Sequence, residues 1–322
     1  MSARLEDALI FLKSMPQCIT RIRPLDNGEI ACYSQGARRP LRILDSDGNE
    51  VSSHDASEQF VAVTDGILFL SYIGEDGGHR IDFLDGDKIT EGERLKIDGY
   101  IPRFLCDGDV PDSFRVIAKK PVKKGNNAKV YDFSRDRETG EISPRKIDSG
   151  PISCTHEIRN AFVSQRNPSL DTFVSMDNND FYSVAPGEVN WKMECPGMID
   201  GCDEYQGNLV LGSKARQFVS AFKLQGQTRQ PSKEPTWAHS AIGPVLSVLI
   251  PNEHIVLVGT ENVGGRLYAF DLESGEETFR HDMSKPFGIW TMAYKKGVLY
   301  LGTGIGGKGR VYALDYKALK LD

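Results

Sequence analysis

A short strand-like motif recurs seven times along the chain, and this repeat constrains the fold more than any other feature of the sequence. It is clearest at residues 267–271 (LYAFD) and 311–315 (VYALD), each of which follows an apolar strand and a glycine-rich loop. Weaker copies lie at 41–45, 81–85, 130–134, 181–185 and 219–223. Successive copies are 38 to 51 residues apart, which is about the length of a repeat made of four strands.

The repeat predicts an all-β fold, namely a seven-bladed β-propeller of four-stranded antiparallel blades. Amphipathic helices do not recur between the strands, which argues against an α/β fold with a parallel sheet. In the sixth blade, the four strands are expected at 245–250, 255–259, 266–271 and 277–281. We expect a single domain over residues 1–322, with approximate blades at 17–53, 54–99, 100–149, 150–195, 196–240, 241–284 and 285–322, the last joined by 5–16.

The N-terminal segment is predicted to supply the outer strand of the last blade. Only seven residues follow residue 315, whereas the apolar residues 9–13 (LIFLK) precede the first inner strand. An added strand of this kind would leave no free sheet edge. The alternative is a short amphipathic helix, with Leu5, Leu9 and Leu12 on one face and Ser2 as its cap.

Residues 269–276 (AFDLESGE) resemble the repeat of PQQ-like propellers, in which an alanine, an aspartate and a Ser/Thr-Gly turn precede an aromatic residue. The resemblance is closest over the last two or three blades and looser over the first four. It implies a propeller of the PQQ-like, WD-repeat-like kind, and a fold does not by itself fix a function. No quinone cofactor is expected, because the dehydrogenases of this family typically have eight blades and a calcium site.

Composition narrows the choice of partner and compartment. The net charge is −6 and the isoelectric point about 5.6, so nucleic acid is not the expected partner. The six cysteines form no C-x-x-C pair, and we expect reduced, mostly buried thiols. The acidic start and the short apolar run at 8–12 match neither a secretory signal nor a spanning helix. These features predict a cytoplasmic protein with no membrane span.

The motifs that suggest chemistry each have a simpler structural interpretation. Residues 302–307 (GTGIGG) fit a G-x-G-x-x-G pattern, but a strand follows instead of the helix that a dinucleotide site needs. The acidic run 45–50 (DSDGNE) lacks the glycine position of a calcium loop and is predicted to be a hairpin turn. Neither a metal nor a cofactor is expected. Asp200, near the start of an inner strand, is the candidate carboxylate for an active site over the channel.

Basic residues are concentrated near one set of predicted loops. In each blade, the loop between the second and third strands shares one end with the loop that leads into the first strand. The predicted binding residues at these ends are Arg38, Arg39, His79, Lys119, Lys120, Lys123, Lys124, Lys214, Arg216, Arg266, Lys308 and Arg310. Such charges would attract an anionic partner. The alternative interpretation is ordinary solvated loop charge.

The sequence therefore predicts a non-enzymatic protein-interaction scaffold or binding module. Its expected partner is another protein, an acidic peptide or an anionic surface, bound at the charged loop ends. The alternative is a small-molecule enzyme of the lactonase, hydrolase or lyase type, with its site over the central channel. A periplasmic assembly propeller is a third hypothesis, and it requires an export signal.

Overall fold

The computed structural model describes residues 5–37, 40–57, 59–73, 78–92, 94–95, 97, 99–108, 110–122, 125–146, 152–154, 156–164, 172–185, 188–240, 242–261, 265–283, 288–305 and 307–321. The described chain is almost entirely β, with two short 3₁₀ helices. Its strands form seven antiparallel sheets, which are the blades of a seven-bladed β-propeller. The predicted fold class is confirmed.

Residues 5–194 supply one N-terminal strand and four blades. A 3₁₀ helix (Leu5–Ala8) is followed by β1 (Leu9–Met15). Blade 1 contains β2 (Ile19–Pro24), β3 (Ile30–Ser34), β4 (Leu41–Leu44) and β5 (Glu50–His54). Blade 2 contains β6 (Phe60–Val63), β7 (Gly66–Ile73), β8 (Gly78–Asp85) and β9 (Lys88–Thr90). Blade 3 contains β10 (Ile101–Asp107), β11 (Ser113–Val122), β12 (Gly125–Arg135) and β13 (Ile142–Lys146), with β14 (Ile152–Cys154) also paired to β12. Blade 4 contains β15 (Ile158–Val163), β16 (Thr172–Met176), β17 (Asp180–Ala185) and β18 (Glu188–Glu194).

Residues 201–315 supply the other three blades. Blade 5 contains β19 (Gly201–Tyr205), β20 (Asn208–Ser213), β21 (Phe218–Gln225) and β22 (Gln230–Pro231), with β23 (Trp237–Ser240) also paired to β21. Blade 6 contains β24 (Val245–Leu249), β25 (Ile255–Thr260), β26 (Arg266–Asp271) and β27 (Glu277–Asp282). Blade 7 contains β28 (Gly288–Lys295), β29 (Val298–Ile305), β30 (Lys308–Asp315) and β1, and a 3₁₀ helix (Lys317–Leu319) follows β30.

Each of the seven sequence copies lies on the third strand of its blade, as the repeat predicts. In blade 6 the expected strand limits agree with the structure to within one residue. We label the strands of a blade a to d in chain order. Because neighbouring strands are antiparallel, the b–c loop and the start of strand a lie at the same end of the blade, which we call the b–c end.

The chain forms two compact units, and the blades divide between them. Unit 1 comprises residues 1–55 and 196–322, which hold blades 1, 5, 6 and 7, whereas unit 2 comprises residues 56–195, which hold blades 2, 3 and 4. In unit 1 one core cluster contains Leu257, Leu301 and Leu314. In unit 2 another hydrophobic core cluster contains Phe114 and Val116. The single-domain interpretation stays a prediction.

The N-terminal strand completes blade 7, as predicted. Strand β1 pairs antiparallel with β30, with Leu12 opposite Tyr312 and Met15 opposite Gly309. The helical alternative is wrong for residues 9–15, although a 3₁₀ helix precedes them. As the outer strand of a packed blade, β1 forms backbone hydrogen bonds with β30. A short amphipathic helix would instead leave the backbone groups at its two ends to be capped.

Aspartate side chains close the turns between the third and fourth strands. Asp271 Oδ1 accepts the backbone N–H of Ser274 at 2.7 Å, and Asp136 Oδ1 accepts that of Thr139 at 2.7 Å. Asp45 likewise accepts two backbone N–H groups of its own turn. The acidic run at 45–50 is therefore a hairpin turn, as predicted.

Two further sequence expectations can be compared with the described residues. The five cysteines whose side chains are described are free thiols, and Cys18 alone among these five is not fully buried. No helix in the described ranges has the length and apolar character to span a membrane.

Candidate functional site

Eight of the twelve predicted binding residues lie in the described part of the chain, and all eight lie at the b–c end of their own blade. They are His79, Lys119, Lys120, Lys214, Arg216, Arg266, Lys308 and Arg310. Arg38, Arg39, Lys123 and Lys124 lie outside the described residues. That the twelve form one binding surface stays a prediction, and the structure shows instead two local groupings, one in each unit.

Two of the predicted arginines have an evident structural role. The guanidinium of Arg266 donates to the hydroxyl of Tyr268 at 3.3 Å, and that of Arg310 donates to Tyr312 at the same distance. The hydroxyl of Tyr268 in turn donates to the carbonyl of Ile242 at 3.1 Å, which fixes the loop leading into strand β24. This repeated Arg-x-Tyr arrangement stabilises the b–c ends of blades 6 and 7.

The first grouping lies in unit 2, and we call it the basic cluster. Its centre is Glu157, whose carboxylate accepts two hydrogen bonds from the ammonium of Lys119, at 2.7 and 2.8 Å. Arg103 lies 3.9 Å from the same carboxylate. The hydrogen bond from Lys119 lowers the pKa of Glu157, and the charges of Arg103 and Arg159 lower it further. One carboxylate is thus shared by three cations.

On the other face of blade 3, at the same b–c end, two ammonium groups lie over an aromatic ring. Lys120 Nζ is 5.7 Å and Lys129 Nζ 5.3 Å from the centroid of the Tyr100 ring. That ring is half-buried and packs edge-on against Tyr131 at 6.2 Å. Neither lysine has a carboxylate partner within the described ranges, so their charges are held by cation–π attraction alone.

The strand register places these groups at one end of blade 3 but on its two faces, with Lys119 on one face and Lys120 and Lys129 on the other. On β11, Lys119 is opposite Ile101 of β10 and Ala128 of β12, and Lys120 is opposite Asn127. Tyr100 immediately precedes β10, and so lies at the same b–c end. The basic cluster is therefore defined by Tyr100, Arg103, Lys119, Lys120, Lys129, Glu157 and Arg159.

Next to this cluster, the neighbouring residues His156 and Glu157 contact different partners. His156 Nδ1 lies 3.2 Å from Asp177, while Glu157 bonds to Lys119. Asp177 also accepts the backbone N–H of Glu157 at 3.2 Å. The two neighbouring side chains thus have different partners, which agrees with their opposite orientation along an extended chain.

The second grouping lies in unit 1, and we call it the Trp290 cluster. Its members are Cys18, Asp200, Lys214, Glu261 and Trp290. The ammonium of Lys214 lies 2.5 Å from Glu261 Oε2 and 5.1 Å from the centroid of the Trp290 ring. The backbone N–H of Lys214 donates to Asp200 Oδ2 at 2.7 Å. These residues come from the b–c ends of blades 1, 5, 6 and 7.

Close backbone approaches place the ring and the carboxylate of the Trp290 cluster. The indole N–H of Trp290 donates to the carbonyl of Gly304 at 3.0 Å, which fixes the ring across strands β28 and β29. A Cβ at Gly304 would come within 2.5 Å of Cys18. A Cβ at Gly288 would come within 3.2 Å of Glu261. Glycine at both positions lets adjoining blades approach at this end.

Burial raises the pKa of two groups in the Trp290 cluster. It raises the pKa of the Cys18 thiol to about 12, and the charge of Glu261 raises it further. The thiol is therefore protonated at neutral pH and is not an activated nucleophile. Burial likewise raises the pKa of Asp200, again with a contribution from Glu261. Asp200 stays the candidate carboxylate of the enzyme alternative, which stays a prediction.

Sequence reasoning identified Lys119, Lys120 and Lys214, and it missed Lys129 together with the residues that decide the charge balance of the two clusters. Tyr100, Glu157, Glu261 and Trp290 were not expected as functional residues. One signal was present, since an aromatic residue at 100 and another at 290 lie at the start of a first strand. Within the described ranges, no group of three or more His, Cys, Asp and Glu side chains could hold a metal ion.

Comparisons with known proteins bear on the fold alone. No protein-family model matches the chain, and no curated protein matches its sequence significantly. Among solved structures, the chain is similar to Sqt1 of Saccharomyces cerevisiae, with a TM-score of 0.62 over 97% of this chain and 99% of that one. The sequences are 8% identical, so the likeness shows a shared fold. The closer resemblance to PQQ-like repeats stays a prediction.

Proposed function

We propose that this protein is a protein-interaction module that binds an acidic segment of a partner protein at the basic cluster of unit 2. The observation that carries the proposal is the charge imbalance around Tyr100. Lys120 and Lys129 lie over the Tyr100 ring, while Arg103, Lys119 and Arg159 act on the carboxylate of Glu157 on the other face of the same blade end. An acidic peptide would supply the carboxylates that the cluster lacks.

The cluster also has the mixed character of a binding surface. Lys120 is exposed and Tyr100 half-buried, so both are accessible to a partner. Tyrosine is enriched among residues that dominate binding energy, because it combines apolar area with a hydroxyl group. Excess positive charge speeds the encounter with an anionic partner and orients it. Tyr100 would thus contribute contact area, while Lys120 and Lys129 provide the electrostatic attraction.

A protein partner is favoured over nucleic acid and over an enzymatic substrate. The isoelectric point is about 5.6, whereas domains that bind phosphate backbones are usually basic. Among the described residues, the basic cluster has one accessible aromatic ring, whereas single-stranded nucleic acid is typically stacked on several. Four buried free thiols, at Cys32, Cys106, Cys195 and Cys202, support a reducing compartment. We accordingly propose a cytoplasmic location.

The test measures binding of a fluorescein-labelled peptide of alternating glutamate and glycine to the full chain, by fluorescence anisotropy. The double variant Lys120→Glu/Lys129→Glu is expected to bind about tenfold more weakly, because each reversal replaces an attraction by a repulsion. The loss should shrink between about 0.05 M and about 0.2 M salt as the charges become screened.

The matched control is Arg216→Glu/Lys308→Glu in unit 1, which changes the net charge by the same amount at two exposed residues. It is expected to leave the affinity within about twofold of the unmodified chain, because screening confines the effect to nearby charges. Equal loss in both double variants would show that only net charge matters and would contradict the proposal.

A further inference from the structure

We propose that the Trp290 cluster is a second binding site, which takes the cationic side chain of a lysine or arginine on a partner protein. In the free protein, Lys214 occupies this site as a built-in substitute for that side chain. The inference concerns the other unit and a ligand of the opposite charge. It therefore does not rest on the basic cluster.

Two groups of different chemistry converge on a single ammonium. The carboxylate of Glu261 lies 2.5 Å from Lys214 Nζ, and the Trp290 ring lies beneath it at 5.1 Å. Tryptophan offers the strongest cation–π attraction of the aromatic side chains. A carboxylate adds a charge-assisted hydrogen bond. A ring and a carboxylate arranged in this way form a receptor for a cation, and here the chain itself supplies the cation.

The receptor is preorganised. The hydrogen bond from the indole N–H of Trp290 to the carbonyl of Gly304 holds the ring in place. The backbone N–H of Glu261 donates to the carbonyl of Pro244 at 2.8 Å, which anchors that residue. A site that keeps its shape when the cation leaves loses little entropy when another cation enters.

Lys214 can leave without refolding the loop around it. Its backbone N–H is anchored on Asp200 at 2.7 Å, and the neighbouring Arg216 N–H donates to Ser213 Oγ at 3.3 Å. Only the side chain has to rotate, and that side chain is 41% exposed, while that of Glu261 is 30% exposed. Ion pairs with this exposure are weak, so a partner's cation can compete.

The surroundings favour a replacement cation once Lys214 has moved away. Asp200 and Glu261 are close enough for the charge of one to act on the other, and Lys214 is the cation that acts on Asp200. When its ammonium leaves, the carboxylate of Glu261 loses its cationic partner and the Trp290 ring loses the cation above it. An entering lysine or arginine restores the balance.

The experiment uses the full chain labelled with nitrogen-15 and follows the indole signal of Trp290, assigned with Trp290→Phe. The probe is the blocked tripeptide acetyl-Gly-Lys-Gly-amide, and acetyl-Gly-Gln-Gly-amide is the neutral control. The lysine peptide is expected to shift the Trp290 indole signal in a saturable manner. The glutamine peptide is expected to leave it unchanged.

The decisive variant is Lys214→Met, which removes the built-in ammonium and keeps an unbranched apolar stem. Its affinity for the lysine peptide should rise about fivefold, because the site is no longer occupied by its own chain. The matched control, Lys308→Met, removes one positive charge at the b–c end of blade 7 and should change the affinity less than about twofold. A gain of affinity cannot arise from misfolding.

Glu261→Gln should weaken binding of the lysine peptide about tenfold, because it removes the charged acceptor. The proposal is overturned if Lys214→Met binds no more tightly than Lys308→Met. It is also overturned if both tripeptides shift the indole signal equally. Neither result bears on the acidic-peptide titration, which depends on Lys120 and Lys129 in unit 2.

Discussion

Two lysine–glutamate ion pairs are similar in geometry, namely Lys119–Glu157 in unit 2 and Lys214–Glu261 in unit 1. We expect the clusters that contain them to bind ligands of opposite charge. Each lysine lies at or just beyond the end of a second strand, and each glutamate belongs to the following blade. Taken alone, a partly exposed pair of this kind contributes at most about 1 kcal/mol to stability. The difference lies in what surrounds each pair.

Three cations act on the single carboxylate of Glu157, because Arg103 and Arg159 lie near it together with Lys119. The ammonium of Lys214, by contrast, has two acidic residues near it, Asp200 and Glu261. The first pair therefore leaves positive charge available to a partner, and the second leaves negative charge. The number of cations at a loop end does not predict the ligand until their partners are known.

The largest expected effect concerns the stability of the blade that carries the basic cluster. Arg115, whose side chain is 3% exposed, pairs with Asp132 at 2.9 Å and donates to Thr172 at 3.1 Å. Arg115→Met should lower the free energy of unfolding by about 3–5 kcal/mol, because it leaves a buried carboxylate without this partner. Urea denaturation followed by circular dichroism measures it.

The exposed Arg159→Met is the control and should change the stability by less than about 0.5 kcal/mol. If Arg115→Met also cost less than about 1 kcal/mol, the buried pair would not stabilise blade 3. The view that the basic cluster is built on a rigid support would then fail.

The next effect compares one turn in the two units. Gly275 in unit 1 and Gly140 in unit 2 both have φ of +75° in an Asp-x-x-Ser/Thr-Gly turn. A Cβ at Gly275 would lie 2.5 Å from Trp237, whereas a Cβ at Gly140 would meet nothing within 4 Å. Gly140→Ala should therefore cost about 1–2 kcal/mol from the left-handed backbone alone.

Gly275→Ala should cost about 1–3 kcal/mol more than Gly140→Ala, since Trp237 must also move. Thermal unfolding of both variants under the same conditions measures the difference. Equal costs would mean that the outer strand of blade 5 does not pack against the turn of blade 6 in solution.

A smaller effect should be common to both units. The backbone hydrogen bond from Ser274 lowers the pKa of Asp271, and that from Thr139 lowers the pKa of Asp136. A carboxyl group with a lowered folded-state pKa stabilises the fold above its unfolded pKa, and this stabilisation disappears as the pH falls through the folded value. Asp271→Ala should cost about 1 kcal/mol at neutral pH, by analogy with a lost helix cap.

That cost should shrink as the pH falls below the ordinary aspartate value of 3.8, and Asp136→Ala should change in the same direction. Urea denaturation at several pH values measures both. A cost for Asp271→Ala that does not vary with pH would show that the charge of the side chain is irrelevant to the turn.

The smallest effect sharpens the comparison of the two ion pairs. Glu157→Gln removes the central carboxylate of the basic cluster and should strengthen binding of the glutamate peptide about threefold, as expected for one partly exposed charge. Glu141→Gln, in the turn at the other end of blade 3, is the control and should have no effect. Weaker binding by Glu157→Gln would mean that this carboxylate positions Lys119 for the partner.

The sequence was sufficient to predict the fold because the repeat is local. The third strand of each blade is recognisable within five residues, as at 267–271, and the apolar residues 9–13 are recognisable as a strand that precedes the first inner strand. Alternation and turn residues act over such short distances, so these predictions need no knowledge of distant contacts.

The sites could not be predicted in the same way, because their partners are distant in sequence. Lys214 and Glu261 are 47 residues apart, and Lys119 and Glu157 are 38 apart. Each pair depends on how the ends of two blades align, and the repeat length varies too much to fix that alignment. The sequence therefore indicated where cations lie and gave no means of deciding which of them are neutralised.

The most direct test of the central claim is one nuclear magnetic resonance titration of the full chain with the lysine tripeptide and, separately, with the glutamate–glycine peptide. We predict that the lysine peptide shifts the Trp290 indole signal and leaves the backbone amide signals of Tyr100, Lys119 and Lys129 unchanged. The glutamate–glycine peptide should do the reverse. If both peptides moved the same set of signals, the two clusters would not differ in the charge of their ligand, and the account would be wrong.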